Sequence, residues 1–288
     1  MSQRKAMRKR ASEGRAGRGE GSGKRGRSVR PDRYALYEQA VQDPEADVAL
    51  VQRIYRGRFG RPARLLREDF CGTAVMACRW VQKHRENEAW GIDIDPAPLA
   101  WGREHHVARL RDPQASRVHL IEGDVRSVRH RPVDVTVAFN FSYFTFRTRD
   151  TLRAYFEKAR RTLASEGLFV VDCYGGADSF RTMVERRRVN GFIYEWDQNS
   201  VDPISHSVTN FIHFELRDGT RLRRAFRYDW RLWTIPEIRE LLEEAGFSQV
   251  QVYWEGTDSK TGDANGIFHP RDHAPDDPAW ICYIAAKR

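Results

Sequence analysis

The 288-residue sequence has only four cysteines, Cys71, Cys78, Cys173 and Cys282, and no CxxC pair. They lie far apart or in apolar settings, which argues against a disulfide framework or a zinc knuckle and places the protein in a reducing, cytoplasmic compartment. No apolar stretch approaches the roughly 20 residues that span a bilayer. The basic start leads into glycine and not into an apolar segment, so no secretory signal is expected. No internal repeat is visible. The G-x-G-x-x-G of nicotinamide enzymes is also missing, since the first turn of the expected fold offers only Gly72.

Positive charge is plentiful, but it sits in one place. Residues 1–33 hold twelve basic and three acidic residues, a balance of +9, which is the formal charge of the whole chain. The other 255 residues are neutral, which argues against a body that grips nucleic acid through a net positive field. Residues 1–33 have no aromatic residue and no apolar run, but several glycines, so a disordered basic tail is expected. It reads as a silent extension, as an electrostatic tether to nucleic acid or another acidic surface, or as a transit peptide.

The body alternates between two periods. Residues 32–59 are helical by spacing; 63–68, 89–93, 118–122, 133–138 and 167–173 read as strands; and helices fall over 75–83, from Pro96 toward Leu110, and over 150–163. Strand followed by helix, repeated, is the pattern of a parallel sheet covered on both faces. The pattern breaks after Gly175-Gly176. Residues 192–228 are strand-rich, with Asp218-Gly219 as a hairpin turn. Thr234 and Glu237 form a capping box for a last helix ending at Gly246. Strands follow over 249–254 and 280–286, joined by a long polar loop. The expected units are the tail (1–33), an α/β half (34–176), a β-rich insert or lid (177–233) and a closing segment (234–288).

Ligands of open α/β sheets bind beyond the carboxyl ends of the strands. There the sequence places Glu68-Asp69-Phe70-Cys71-Gly72-Thr73-Ala74, Gly91-Ile92-Asp93-Ile94-Asp95-Pro96, Glu122-Gly123-Asp124-Val125, Asn140-Phe141-Ser142-Tyr143 and Asp172-Cys173-Tyr174-Gly175-Gly176. A carboxylate at the end of the second strand is placed to take the two hydroxyls of a ribose.

These segments, in this order and spacing, resemble the class I S-adenosylmethionine-dependent methyltransferases, in their small-molecule N- and O-methylating branch. The resemblance runs from about Tyr34 to Ala286 and includes the stretch Arg161–Asp172 and the last helix, from Arg231-Leu232-Trp233-Thr234 to Ala245-Gly246-Phe247. It implies a doubly wound α/β fold with a mostly parallel seven-stranded sheet, S-adenosylmethionine as cofactor, and direct in-line methyl transfer to N or O of a small-molecule acceptor. It implies a cofactor site of Glu68, Phe70, Cys71, Gly72, Thr73, Asp93 (ribose), Ile94, Asp124 (adenine amino group), Val125 and Asn140. Phe70 and Ala74 stand where the family usually has glycine, so Phe70 must adopt an ordinary φ or be strained.

Asn140 and Tyr143, with N-x-x-Y spacing, are the candidates for catalysis. Tyr34 and Tyr37 on the covering first helix, with Tyr174, Tyr228, Trp230 and Arg231, are the candidates for the acceptor pocket; Arg231 is expected to fix Asp229 or an acidic group of the substrate. Glu195 and His213 could serve as bases, but Glu195 reads better as a solvated sheet residue and His213 as a structural histidine. His269, Asp272 and His273 sit in a loop without further partners, and no metal is expected. The alternatives are an RNA or protein methyltransferase tethered through the tail, and a non-catalytic RNA-associated module. Charge neutrality of the body and the insert before the last helix favour a small-molecule acceptor. The sequence leaves the oligomeric state open.

Overall fold

The first break from the sequence reading comes at Asp43-Pro44, where the expected single helix divides into α1 (Arg33–Val41) and α2 (Pro44–Phe59). Proline lacks the N–H that would continue the first helix, and it opens the second at a position where no N–H is needed. Asp43 caps α2 through Ala46 N (3.2 Å), and Asp32 caps α1 through Tyr34 N and Ala35 N. The computed structural model describes residues 32–258, 261 and 264–288. The expected tail therefore lies outside the described residues, apart from Asp32 and Arg33, which belong to the start of α1.

The alternating region folds as β1 (Leu65–Asp69), α3 (Val75–Lys83), β2 (Glu88–Asp93), α4 (Pro96–His105), the short α5 (Asp112–Ala115), β3 (Val118–Glu122), β4 (Val133–Ala138), α6 (Arg149–Thr162) and β5 (Leu163–Gly175). A four-stranded antiparallel meander comes next: β6 (Met183–Val189), β7 (Phe192–Val201), β8 (Ser207–Glu215) and β9 (Arg221–Arg231). The chain ends with α7 (Ile235–Glu244), β10 (Ser248–Thr257), β11 (Ala264–Pro270) and β12 (Trp280–Lys287).

The central sheet runs in the order β3-β2-β1-β4-β5-β12-β10-β11. The pairs among β1 to β5 are parallel, and β12 runs antiparallel to β5. The seven expected strands are all present. An eighth, β11, pairs antiparallel with β10 in the segment read as a polar loop. Its residues are exposed except for Phe268 and include a glycine and a proline, which fits an edge strand with little to bury and explains why periodicity did not reveal it.

Alternate residues of β5 feed two cores. Leu168 and Val170 face α2 and α3, whereas Phe169 and Val171 face α6, α7 and the inner side of the second sheet, where Trp196, Ile212 and Trp230 lie. The strand order reverses between β1 and β4, and the functional cleft opens there. No helix among the described residues is long and apolar enough to cross a membrane.

Candidate active site

The loop after β1 carries the strain that the sequence anticipates. Phe70 (φ 58°) and Ala74 (φ 57°) both take the left-handed conformation, as does Gly72 (φ 54°). For a residue with a Cβ this costs about 1–2 kcal/mol, so the surroundings must hold it. Cys71 N donates to Ile92 O (3.0 Å) and Gly72 N donates to Asp93 Oδ2 (2.8 Å). Ala74 has no side-chain group to cap α3, and Glu68 replaces it, with Oε2 accepting from Ala77 N (3.0 Å). On the other side α4 presses against the loop so closely that a Cβ on Gly102 would collide with the Thr73 carbonyl. The Phe70 ring packs beside Phe146 and Tyr155, with centroids 5.9 and 5.8 Å away.

Asp93 ends β2. Its Oδ1 accepts from Asp95 N (3.0 Å), and burial raises its carboxyl above the usual range against the amides that bind it. At the end of β4, Asn140 and Phe141 are both left-handed (φ 58°), and the buried Asp172 carboxylate holds the pair by accepting from Asn140 N (2.8 Å) and Phe141 N (2.9 Å). Asp172 is thus a fixed hydrogen-bond acceptor behind the site, a role the sequence reading did not give it.

These strand ends surround a cavity of about 470 Å³. The β1 loop contributes Phe70, Cys71, Gly72 and Thr73; the end of β2 and the start of α4 contribute Asp93, Asp95 and Pro98; and the β4 end contributes Asn140 and Ser142. The roof is α1, with Arg33, Tyr34 and Tyr37, then Gln42 just beyond it, together with Arg224 to Tyr228 of β9. Tyr37 and Tyr34 pack on Phe226 at 4.8 and 6.1 Å, so the two roof elements touch. Glu38 pins α1 to the floor by accepting from Thr73 Oγ1 (2.5 Å) and pairing with His106 Nε2 (2.6 Å).

Other expected site residues lie elsewhere. Glu68 is buried beneath the loop, and Ile94 is 69 % exposed outside the cavity wall. The Asp124 carboxylate is held by Arg126 (Nη2 to Oδ2, 2.6 Å), which keeps it below the usual carboxylate range, and Val125 is buried. Tyr143 does not reach the cavity. It sits on the inward side of the helical turn at Ser142–Thr145, fully buried, and its hydroxyl donates to Asp172 O (2.8 Å). Tyr174 is buried against Phe141 and Phe144, and Trp230 is buried against Tyr228. Arg231 binds Glu237 (2.9 Å) and covers Trp233, while Asp229 pairs instead with Arg227 (2.7 Å). Glu195 and His213 lie on the outer face of the second sheet, in a separate cavity of about 280 Å³. There Glu195 pairs with Arg186 (3.0 Å) and His213 Nε2 is 3.4 Å from Asp197. Among the described residues no cluster of metal-ligand side chains occurs.

Burial pushes the Glu68 carboxyl up from 4.5 to about 8, with the Ala77 amide opposing it. Because the folded value lies above the ordinary one, this residue's contribution to stability is complete below about pH 4.5 and is lost as the pH rises through about 8. Glu68→Gln keeps the acceptor for Ala77 and is expected to remove that slope. Denaturation midpoints measured from about pH 5 to about pH 8 should converge at the acid end and separate toward the alkaline end, with the variant more stable. Parallel curves would contradict the assignment.

Residues 70–167 match a family described as "Methyltransferase domain". No curated protein matches the chain. Among solved structures, the chain is similar to S-adenosylmethionine-bound CalS10, an amino pentose methyltransferase from Micromonospora echinaspora (16% identity, TM-score 0.63, 92% of this chain and 100% of that one). It is also similar to the sugar N-methyltransferase KedS8 from a Streptoalloteichus species (17%, TM-score 0.61, 96% and 99%). A third is an S-adenosylmethionine-dependent methyltransferase from Clostridium acetobutylicum (14%, TM-score 0.64, 88% and 96%). The matched segment is similar to a methyltransferase domain, and the fold of the chain is that of the S-adenosylmethionine-dependent methyltransferases.

Proposed function

We propose that this protein binds S-adenosylmethionine across the ends of β1 and β2 and methylates an amine of a small molecule. The floor of the cavity fits the cofactor. A Cβ on Gly72 would meet nothing within 4 Å, so the bare backbone opens on the space a ligand fills, and the Asp93 carboxylate stands beside it to take the ribose hydroxyls. Phe70, Cys71, Thr73 and Asn140 complete the proposed cofactor contacts, with Asn140 facing the acceptor as well. The loop holding Asp124 and Val125 lies to one side, and Asp124 would engage adenine by exchanging its partner Arg126.

One observation carries the choice of acceptor. Tyr34, Tyr37, Phe226 and Tyr228 form an aromatic part of the wall. Among the described residues that line the cavity the only carboxylates are Asp93 and Asp95, and there is no histidine. Burial holds the Tyr228 hydroxyl well above its ordinary range, so it is no base near neutral pH. An acceptor there must be nucleophilic without first losing a proton, as a neutral amine is and an alcohol is not. When bound, S-adenosylmethionine supplies the methyl: the amine lone pair forms the N–C bond, the C–S electron pair returns to sulfur, and a proton leaves the nitrogen for solvent. The protein's part is to align the two partners and keep water from between them.

The test compares amines and alcohols of matched skeleton, such as cyclohexylamine and cyclohexanol, by the S-adenosylhomocysteine they produce. Transfer to amines is expected, with kcat/KM rising with pH along each amine's own titration. Preference for the alcohol, or one fixed apparent pKa for every amine, would contradict the reading.

A further inference from the structure

Five consecutive residues, Arg224 to Tyr228, line the cavity. Side chains of a strand alternate between its faces, so an unbroken run on one wall means that β9 meets the cavity edge-on. β9 is the last strand of the second sheet and pairs only with β8. Its phase is fixed just beyond its end, where Leu232 N donates to His206 O (2.9 Å). The register is unbroken from Arg231 back to Phe226, so Phe226 and Tyr228 turn their main-chain groups to β8 and Arg227 turns its own outward. Ala225 has no partner on β8 either, and its O lies 3.5 Å from the exposed Arg33 Nη1 of α1. A bulge at Arg224 (φ 51°), whose N donates to His213 Nδ1 (3.1 Å), ends the regular edge there. At the other end the turn after β4 covers the strand: Phe144 packs on Trp230 (6.1 Å), and Arg231 Nη1 is 3.4 Å from Arg147 O. The open edge therefore begins at Tyr228, on the same cavity wall as Asn140 and Ser142, and runs out past Arg227 and Ala225.

We propose that the methyl acceptor is the N-terminal amine of a short acidic peptide, held as an added antiparallel strand on the β9 edge; this rests on the methyl-transfer reading above. With its first residue beside Tyr228, the peptide runs against the direction of β9, and its second and fourth residues exchange main-chain hydrogen bonds with Arg227 and Ala225. The ionisation of this amine suits a cavity without a base. A peptide α-amine titrates near about pH 8, against about 10 for a lysine side chain, so a useful fraction is neutral near pH 7. Its nitrogen forms the N–C bond, the C–S electron pair returns to sulfur, and one proton leaves for solvent. Charge selects the peptide's side chains. Arg223, Arg224 and Arg227 are exposed along the edge; Arg227 pairs with Asp229, but among the described residues Arg223 and Arg224 have no carboxylate partner. Acidic side chains complement them. A second copy of the chain does not, because two β9 edges brought together would set arginines against arginines.

The test uses the full chain, S-adenosylmethionine and the amide of the peptide Ala-Val-Glu-Glu, with turnover read as S-adenosylhomocysteine released. The peptide is expected to exceed alanine amide in kcat/KM by about tenfold or more. It should exceed the amide of Ala-Val-Gln-Gln by about threefold or more. Methylating the peptide's own backbone nitrogen at its second or its fourth residue should cost about tenfold, whereas the same change at the third should cost little, because that N–H points away from β9. Arg223→Gln combined with Arg224→Gln should bring the glutamate and glutamine peptides to near parity. Folding of the variant is checked by its affinity for S-adenosylhomocysteine, with Arg223→Gln alone replacing the pair if that check fails. Equal turnover of peptide and alanine amide, equal sensitivity at all three backbone nitrogens, or a preference for glutamate that is absent in the wild type or unchanged in the variant overturns the proposal. Failure of S-adenosylhomocysteine to bind, or no turnover of any amine, overturns the methyl-transfer reading instead, so the two failures are distinguishable.

Discussion

Asp93→Ala is expected to weaken S-adenosylmethionine binding by about two orders of magnitude or more, measured by calorimetry. The carboxylate faces the cavity at the end of β2 and would accept from both ribose hydroxyls, and hydrogen bonds to a charged acceptor contribute about 1.5–3 kcal/mol each. The substitution also takes away the acceptor of Gly72 N, so the strained β1 loop loses one of its holds. Asp95→Ala is the control. Asp95 lines the same cavity but binds Ala97 N (2.9 Å) as the cap of α4. Its loss should lower stability by about 1 kcal/mol and leave cofactor affinity within a few-fold of wild type. Equal losses of affinity in the two variants would remove Asp93 from its special place.

Arg67→Met should destabilise the fold by about 3–5 kcal/mol, the usual result of stripping one partner from a buried ion pair. Arg67 and Asp69 alternate onto the same face of β1, both fully buried, with Nε 2.6 Å from Oδ1. Tyr155 completes the carboxylate with a hydrogen bond of 2.9 Å. Burial pushes the Asp69 carboxyl up, and Arg67 and Tyr155 pull it back, so without the cation the carboxyl takes a proton or drags water inward. Arg67 Nη2 also binds Val125 O (2.6 Å), and Nη1 contacts His130 Nε2 (2.9 Å). Burial and the neighbouring cations hold His130 down at about 4, so its ring is neutral, and a guanidinium beside Nε2 requires that nitrogen to be the acceptor. Arg67 therefore ties the loop bearing Asp124 to β1, and the variant should lose cofactor affinity as well as stability. Replacing the pair together, Arg67→Met with Asp69→Leu, is expected to recover most of the stability, as read by urea denaturation. A single variant within 1 kcal/mol of wild type would show that the pair contributes little.

The sheet and its carboxyl-end residues were legible because two periodicities and a few punctuating glycines determine them. Val133 to Ala138 is buried at every position, and Gly72 and Asp93 fall at strand ends whatever the details of packing. The insert was legible as β-rich, but its first strand, β6, was not. Residues 186–188 are three consecutive arginines, and only after pairing with β7 does their alternation between faces become visible. Side-chain direction at the catalytic end was also hidden. The N-x-x-Y spacing locates Tyr143 beside the site, but the helical turn at 142–145 points it at β5. The sequence also placed Glu195 and His213 on a strand face without saying which face meets the cleft, and a one-residue register decides that.

The central claim is that one cleft holds a nucleoside at Asp93 and presents the acceptor to its aromatic wall. A crystal structure of the protein with S-adenosylhomocysteine tests it most directly. The ribose hydroxyls should lie on the Asp93 carboxylate, with the homocysteine running over Gly72 and its sulfur turned toward the space between Asn140, Tyr37 and Tyr228. A nucleoside seated elsewhere, or side chains filling the cleft and excluding it, would contradict the account.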